Sequence, residues 1–222
     1  MEGPAGWGRP TSTDSQHRTV AAHGATPAGR YAQLSYAVDT IASRAPNAAI
    51  YLDGTHSGWL GVGDAARRLV KAGVRRAQGF FVNVSNFQPT PQSIQYGTWI
   101  AKCIYYASNP ADGGRRIGHF HDCAGQYGPA TLNDYGTWEK TDRWYADNVD
   151  HASNPPSGPS ALTHFVIDTS RNGRGPDSAL RFAAAPFNQP ADVIKSLGAG
   201  IWCNPPHVGL GPRPTANTGV PL

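Results

Sequence analysis

The stretch AAIYLDGTHSGWL (residues 48–60) decides the fold class, because it begins as an apolar run and becomes polar at Asp53. A short apolar run with such an ending is typical of a buried strand whose carboxyl end carries polar side chains. Two later stretches repeat the pattern: GFFVNV (79–84), followed by Ser85 and Asn86, and HFVID (164–168). The sequence therefore predicts three buried strands.

Helix-compatible stretches alternate with these strands. They cover residues 31–45, 64–73, 92–108 and 190–198, with Asp64 as the expected N-cap of the second helix and Gly73 as its stop. Alternating apolar strands and helices favour an α/β fold with a parallel sheet. Such folds place their active sites at the carboxyl ends of the strands.

The chain divides by composition into a leader and a body. Residues 1–29 lack helical and strand periodicity, so we expect an unstructured leader, with the body at 30–222. Within the body, residues 110–161 are rich in Gly, Asp, Asn and aromatic residues, which predicts an inserted loop or lid. The leader has no apolar segment of the signal-peptide type, so the sequence predicts no compartment. No apolar run approaches the ~20 residues of a membrane span.

Charge and composition exclude some functions. The 222 residues suffice for one sizeable domain, and the formal net charge is +4. The basic residues are scattered singly or in pairs, whereas a nucleic-acid-binding protein usually has a dense basic stripe, so no nucleic-acid partner is expected. Glu2 and Glu139 are the only glutamates, and carboxylate chemistry must therefore rest on aspartate.

The cysteines and histidines do not form a recognisable metal motif. The three cysteines have spacings unlike a zinc site; Cys103 and Cys123 could form a disulfide, which leaves Cys203 unpaired within the chain. His119 and His121 would share one face of a strand and supply two ligands at most. We therefore expect neither a metal nor a cofactor. Four aromatic residues of 110–161 could extend a sugar platform or pack the insertion, and packing is favoured: Tyr135, Trp138, Trp144 and Tyr145.

Polar residues at the strand ends are the candidate site. Asp53, Asn83, Asn86 and Asp168 follow the strands, and His56, Trp59, Arg171 and Trp202 lie around them. Tryptophan beside polar groups suits a sugar, because a pyranose face packs on the indole while polar groups bind its hydroxyls. The alternative is structural: Asp53 could order its loop, Trp59 could belong to the core, and Asp168 beside Thr169 and Ser170 is more typical of a loop-ordering acceptor.

Five blocks, in order, resemble glycoside hydrolase family 6, the inverting cellulases. They are YLDGTHSGWL (51–60), GFFVNVSNF (79–87), FVIDTSRNG (165–173), WCNP (202–205) and PTANTG (214–219). The resemblance implies part of a distorted, seven-stranded TIM-like (β/α) barrel and a β-1,4-glucan or cello-oligosaccharide partner. Family members are typically secreted.

The resemblance also assigns roles by position. Asp53 resembles a supporting carboxylate near the cleft, and Arg171 resembles an arginine that pairs with an active-site carboxylate. Four further residues resemble sugar-binding positions of the family: His56, Trp59, Asn86 and Trp202.

The catalytic blocks of that family are not matched. The chain contains no Glu-Pro-Asp, the block of the catalytic acid, and no Pro-Gly-Glu-x-Asp-Gly, the block of the candidate base. We therefore expect a partial domain, incomplete at both ends, which is inactive alone. In the family, the cysteine matching Cys203 pairs with one beyond the unmatched C-terminal block. The competing hypothesis is a non-catalytic β-glucan-binding remnant, or a non-functional product of a disrupted gene.

Overall fold

The computed structural model describes residues 11–13, 19–21, 26–86, 88–110, 114–132, 134–171, 180, 183–185, 188–198, 211 and 213–218. Helices and strands alternate along most of this length, in the order β1 (Thr11–Thr13), β2 (Thr19–Ala21), α1 (Pro27–Arg44), β3 (Tyr51–Asp53), α2 (Val62–Ala72), β4 (Gly79–Val82), α3 (Thr90–Tyr106), α4 (Glu139–Tyr145), β5 (His164–Ile167) and α5 (Ala191–Gly198).

The main sheet has three strands in the order β3-β4-β5, and both pairings are parallel. Asp53 lies opposite Phe81, which in turn lies opposite Val166, so the carboxyl ends of all three strands meet at one edge. The predicted α/β class with parallel strands is confirmed. Helical crossovers between parallel strands are also the building unit of a partial (β/α) barrel.

The core lies between the sheet and helices α2 and α3. Phe80 is fully buried and stacks on Phe165 at 5.5 Å between ring centroids. Helix α3 approaches the sheet closely at Gly97, where a β-carbon would lie 2.5 Å from Cε2 of Phe165. Only glycine fits at that contact without a shift of the ring.

The start of α2 differs from its prediction. Gly61 is the N-cap residue, with no side-chain cap, whereas Asp64 lies inside the first turn. Its carboxylate instead binds Arg67 and accepts a hydrogen bond from Nε of Arg68 at 2.8 Å. Asp64 was therefore wrongly predicted as the cap, although its negative charge still favours the helix N-terminus. The predicted stop at Gly73 is confirmed, with φ of +100°.

Residues 110–161 differ from the loop or lid that was predicted. They contain α4 and several short helical turns, and they bury Trp138 and Tyr145 in the core. Trp138 packs on Trp99 of α3, with ring centroids 4.9 Å apart. Tyr135 and Trp144 are partly buried and pack against the same core cluster, so the packing interpretation of the four aromatic residues is confirmed.

The leader also differs from its prediction. Residues 1–29 were expected to lack structure, yet β1 pairs with β2 antiparallel and α1 begins at Pro27. The hydroxyl of Thr26 accepts a hydrogen bond from the Gly29 N–H at 3.0 Å and caps α1.

Cys103 and Cys123 form a disulfide, while Cys203 lies outside the described residues. Among the described helices, none is long and apolar enough to cross a membrane.

Candidate functional site at the carboxyl edge of the sheet

The three strand ends are joined directly by backbone hydrogen bonds. The N–H of Asn83, just after β4, donates to the carbonyl of Thr55, just after β3, at 2.8 Å. The N–H of Asp168, just after β5, donates to the carbonyl of Val82 at 3.0 Å. The polar positions predicted at the strand ends therefore lie together.

Asn83 is the central residue of this edge. Its side chain is buried; Nδ2 donates to the carbonyls of Asp168 at 3.0 Å and Gln88 at 3.1 Å, and Oδ1 accepts from the Gln88 N–H at 3.0 Å. Its φ is +68°, and Thr55 and Ser85 also have positive φ, of 68° and 56°. Three non-glycine residues in this region of backbone space, which most side chains avoid, mark an edge that its surroundings hold in place.

Asp53 closes the first turn after β3. Its Oδ1 accepts a hydrogen bond from the Thr55 N–H at 2.7 Å, and the Thr55 hydroxyl lies 3.0 Å from the hydroxyl of Tyr96 in α3. Gly54 packs so tightly on the sheet that a β-carbon would lie 2.6 Å from Cδ2 of Phe80. Asp53 thus orders its loop and remains exposed at the same edge.

His56 and Trp59 lie in the next turn, with ring centroids 6.2 Å apart. The Gly58 N–H donates to Nδ1 of His56 at 3.2 Å. Burial lowers the pKa of His56 from 6.5 to about 4, so the ring is neutral at pH 7. Because Nδ1 accepts a hydrogen bond, the ring proton resides on Nε2, which is a donor.

Asn86 belongs to the loop after β4 and is buried. Its N–H donates to the Asn83 carbonyl at 2.9 Å, and its Oδ1 lies 3.5 Å from Nε2 of Gln88. That same nitrogen would lie 3.0 Å from a β-carbon on Gly58. Gln88 therefore packs between the loops that carry Asn86 and Trp59, a role that the sequence did not reveal.

Asp168 orders the loop after β5. Burial by itself would raise its pKa, but hydrogen bonds from Ser170 and from the Ser85 N–H, together with the charge of Arg171, lower the pKa below its usual value. Its Oδ1 accepts from the Ser170 N–H at 2.8 Å and its Oδ2 from the Ser85 N–H at 3.0 Å. The expectation of a loop-ordering acceptor is confirmed by these contacts. Trp202 lies outside the described residues.

Two histidines and an aspartate form a separate cluster. His119 precedes a 3-10 turn (Phe120–Asp122) and His121 lies inside it, rather than both lying on a strand, and Asp122 brings the candidate ligands to three. Their ligand atoms lie within 4.8 Å of one another. All three side chains are exposed, and both imidazoles already face the Asp122 carboxylate, at 3.3 Å and 3.1 Å. The cluster is satisfied as a surface hydrogen-bonded group.

The backbone carbonyls of the Trp59 turn have partners far along the chain. Gln126 donates to the carbonyls of Ser57 and Leu60, and Tyr127 donates to that of Trp59. Gln126 and Tyr127 also line a cavity of about 430 Å³ beside the start of α2. No motif in the sequence marked either residue.

Comparisons with known proteins agree on one family. The model for "Glycosyl hydrolases family 6" matches residues 12–222, and so includes residues 12–29, where no resemblance was expected. Endoglucanase 1 of Streptomyces halstedii is 40% identical over 68 residues, which are 31% of this chain and 21% of that protein. Endoglucanase A of Cellulomonas fimi is 26% identical over 183 residues, which are 82% of this chain and 23% of that protein.

Two further matches have similar coverage. A probable 1,4-beta-D-glucan cellobiohydrolase C of Aspergillus terreus is 29% identical over 188 residues (80% of this chain and 28% of that protein). The solved structure of the endoglucanase Cel6 from Mycobacterium tuberculosis, in complex with methyl-cellobiosyl-4-deoxy-4-thio-beta-D-cellobioside, is 31% identical, with a TM-score of 0.44 over 85% of this chain and 39% of that chain. The chain thus spans less than a third of the curated relatives named here.

Proposed function

The chain belongs to glycosyl hydrolase family 6, and on that premise we propose that it binds β-1,4-glucan at the carboxyl edge of its sheet and does not hydrolyse it alone. The proposed binding residues are His56, Trp59, Asn86, Arg171 and Trp202, with Asp53 as a supporting carboxylate. The names of the relatives, endoglucanase and 1,4-beta-D-glucan cellobiohydrolase, support this substrate class.

The turn that carries His56 and Trp59 is the observation that most supports binding. It places an indole and a neutral imidazole within 6.2 Å of each other, and both side chains are only partly buried. An indole face packs on the CH face of a pyranose, and the Nε2–H of His56 can donate to a hydroxyl. A neutral donor loses less hydration than a charged one when a sugar covers it.

The carboxylates do not support hydrolysis. Inversion needs a protonated carboxyl group at the leaving oxygen and a second carboxylate that activates water, about 6.5–9.5 Å away. A general acid has a raised pKa, whereas the pKa of Asp168 is lowered and both of its oxygens accept backbone hydrogen bonds. Because the chain has no Glu-Pro-Asp, no other residue matches the family's acid.

Isothermal titration of the 222-residue chain with cellohexaose tests binding. Trp59→Ala should weaken binding about tenfold, which corresponds to ~1.4 kcal/mol, just below the ~1.5–3 kcal/mol for full burial of a large apolar side chain, because a sugar covers only one face of the indole. Tyr36→Ala on α1 is the matched control, because Tyr36 is 71% exposed and lies outside the sheet edge. Maltohexaose, with α-1,4 links, controls for the sugar.

Release of reducing sugar from soluble β-glucan tests the second half of the proposal. We expect no release above a blank, since general acid–base groups each contribute roughly 10²–10⁴-fold. Release with inversion would contradict the proposal and make Asp53 and Asp168 the residues to mutate. The absence of cellohexaose binding would instead favour a non-functional product.

A further inference from the structure

Gln126, from a distant part of the chain, donates hydrogen bonds to the turn that carries Trp59. This side chain is fully buried, and its Nε2 donates to the carbonyl of Ser57 at 3.0 Å and to that of Leu60 at 2.8 Å. The two carbonyls flank Gly58 and Trp59. One amide therefore spans the turn and fixes the distance between its ends.

Two tyrosine hydroxyls hold the same turn. Tyr127 donates to the carbonyl of Trp59 at 2.7 Å, and Tyr96 donates to that of Leu60 at 2.8 Å. Burial raises the pKa of both phenols above the usual value, so both remain protonated donors throughout the neutral range. Three of the four carbonyls from Ser57 to Leu60 thus accept a side-chain hydrogen bond.

The segment that carries Gln126 is itself anchored in the core. The hydroxyl of Thr141 in α4 donates to the Gly125 carbonyl at 3.0 Å, and the hydroxyl of Tyr145 donates to the Ala124 carbonyl at 2.8 Å. Cys123, three residues before Gln126, is bonded to Cys103 in α3. Gln126 therefore links the Trp59 turn to the core.

The turn has few bonds of its own. The N–H groups of Gly58 and Trp59 donate to Nδ1 and to the carbonyl of His56, and both of these bonds are local. Local bonds maintain a turn but do not set its position relative to the sheet. That position depends on Gln88, which packs beside Gly58, and on the side-chain donors from α3 and from residues 126–127.

We propose that Gln126 and Tyr127 are positioning residues for glucan binding: through the carbonyls of Ser57, Trp59 and Leu60 they hold the Trp59 indole where a sugar ring can pack on it. The inference rests on the proposed function, because it assumes that Trp59 contacts the glucan. The segment 110–161 then contributes to binding indirectly, because it packs in the core and supplies Gln126 and Tyr127 as donors to the Trp59 turn.

Tyr127→Phe is the sharpest variant. It removes one hydroxyl from a side chain that is 57% exposed, so the fold should survive. Tyr105→Phe is the matched control, since that hydroxyl also donates to one backbone carbonyl, of Asn154 at 3.2 Å, in a different part of the chain. We expect Tyr127→Phe to weaken cellohexaose binding about fivefold, as the loss of one hydrogen bond predicts, and Tyr105→Phe to leave it unchanged.

Gln126→Met supplies a second test, because it keeps the volume and removes both donated hydrogen bonds. It should weaken binding more than Tyr127→Phe when titrated well below its unfolding midpoint. A residue that served only stability would lower the midpoint and leave the affinity of the folded protein unchanged. Parent-like affinity in both variants would therefore overturn the proposal.

Hydrogen–deuterium exchange separates this inference from the proposed function. In both variants the amides of Ser57–Leu60 should exchange faster than in the parent, and those of β4 should not. This readout needs no ligand. If the parent does not bind cellohexaose, the proposed function fails; if exchange at Ser57–Leu60 is unchanged, the positioning role fails.

Discussion

Replacing Asn83 should destabilise the sheet edge more than any other single change there. Its buried side chain makes three hydrogen bonds, two to Gln88 within the loop after β4 and one to the Asp168 carbonyl in the loop after β5. At about 1 kcal/mol each, Asn83→Ala loses roughly 3 kcal/mol. The backbone φ of +68° adds about 1 kcal/mol, because alanine tolerates that region less well than asparagine. The expected loss is about 4 kcal/mol, a large part of the ~5–15 kcal/mol of a typical domain.

Urea unfolding followed by near-ultraviolet circular dichroism measures this loss. Asn83→Gly removes the same three hydrogen bonds but relaxes the backbone, so it should cost about 1 kcal/mol less than alanine. Asn109→Ala is the matched control, because Asn109 is only partly buried and makes one ordinary side-chain hydrogen bond, from Nδ2 of Asn154 at 3.0 Å, besides a long one to the Asn154 carbonyl at 3.5 Å. That variant should cost about 1 kcal/mol.

Two results would refute the reasoning about Asn83. A loss below about 1 kcal/mol in Asn83→Ala would show that water replaces the three bonds without penalty. Equal losses in the alanine and glycine variants would show that the left-handed backbone carries no strain.

Two further predictions concern the disulfide and His56. Replacing both Cys103 and Cys123 by serine should lower the unfolding free energy by about 3 kcal/mol, as the chain-entropy model gives for a 20-residue separation, and parent-like urea midpoints would contradict it. The pKa of His56 falls from 6.5 to about 4 on folding, so the unfolded chain binds the proton first and stability falls as the pH drops from 6.5 towards 4, by up to about 3 kcal/mol. His56→Gln should flatten that part of the pH–stability curve measured by urea unfolding, and an unchanged slope would count against the assignment.

The sequence predicted the three strands well, because each combines an apolar run with a polar end. The expected burial was right only for β4, since β3 is half-buried and Val166 of β5 is 46% exposed. Strand lengths were less predictable: residues 48–53 were expected to form a strand, and only Tyr51–Asp53 do. Pairing with β4 sets that length, and periodicity does not show where a neighbour begins. The prediction of Asp64 as the N-cap of α2 was wrong because two arginines within one turn, Arg67 and Arg68, bind its carboxylate.

Much of the site could not be predicted. Asp53 ends a strand, Asn83 and Asp168 directly follow strands, and all three could be placed from local pattern alone. Gln126 could not, because its partner Ser57 lies 69 residues earlier and nothing near residue 126 indicates the contact. The composition of residues 110–161 suggested a loop, whereas Trp138 and Tyr145 bury that segment against α3. Only tertiary packing reveals such donors.

In the proposed function, binding and support fall to different loops of the sheet edge. The loops after β3 and β4 carry the proposed binding residues His56, Trp59 and Asn86, while the Asp168 carboxylate after β5 accepts the N–H of Ser85 from the loop after β4 and the N–H of Ser170 from its own loop. A carboxylate held this way stabilises the edge only in its ionised form, and therefore protonation would weaken the loops before it could serve catalysis. The contacts that order the loops thus make Asp168 unsuitable as a general acid. In the proposed function, binding therefore does not depend on this carboxylate being able to donate a proton.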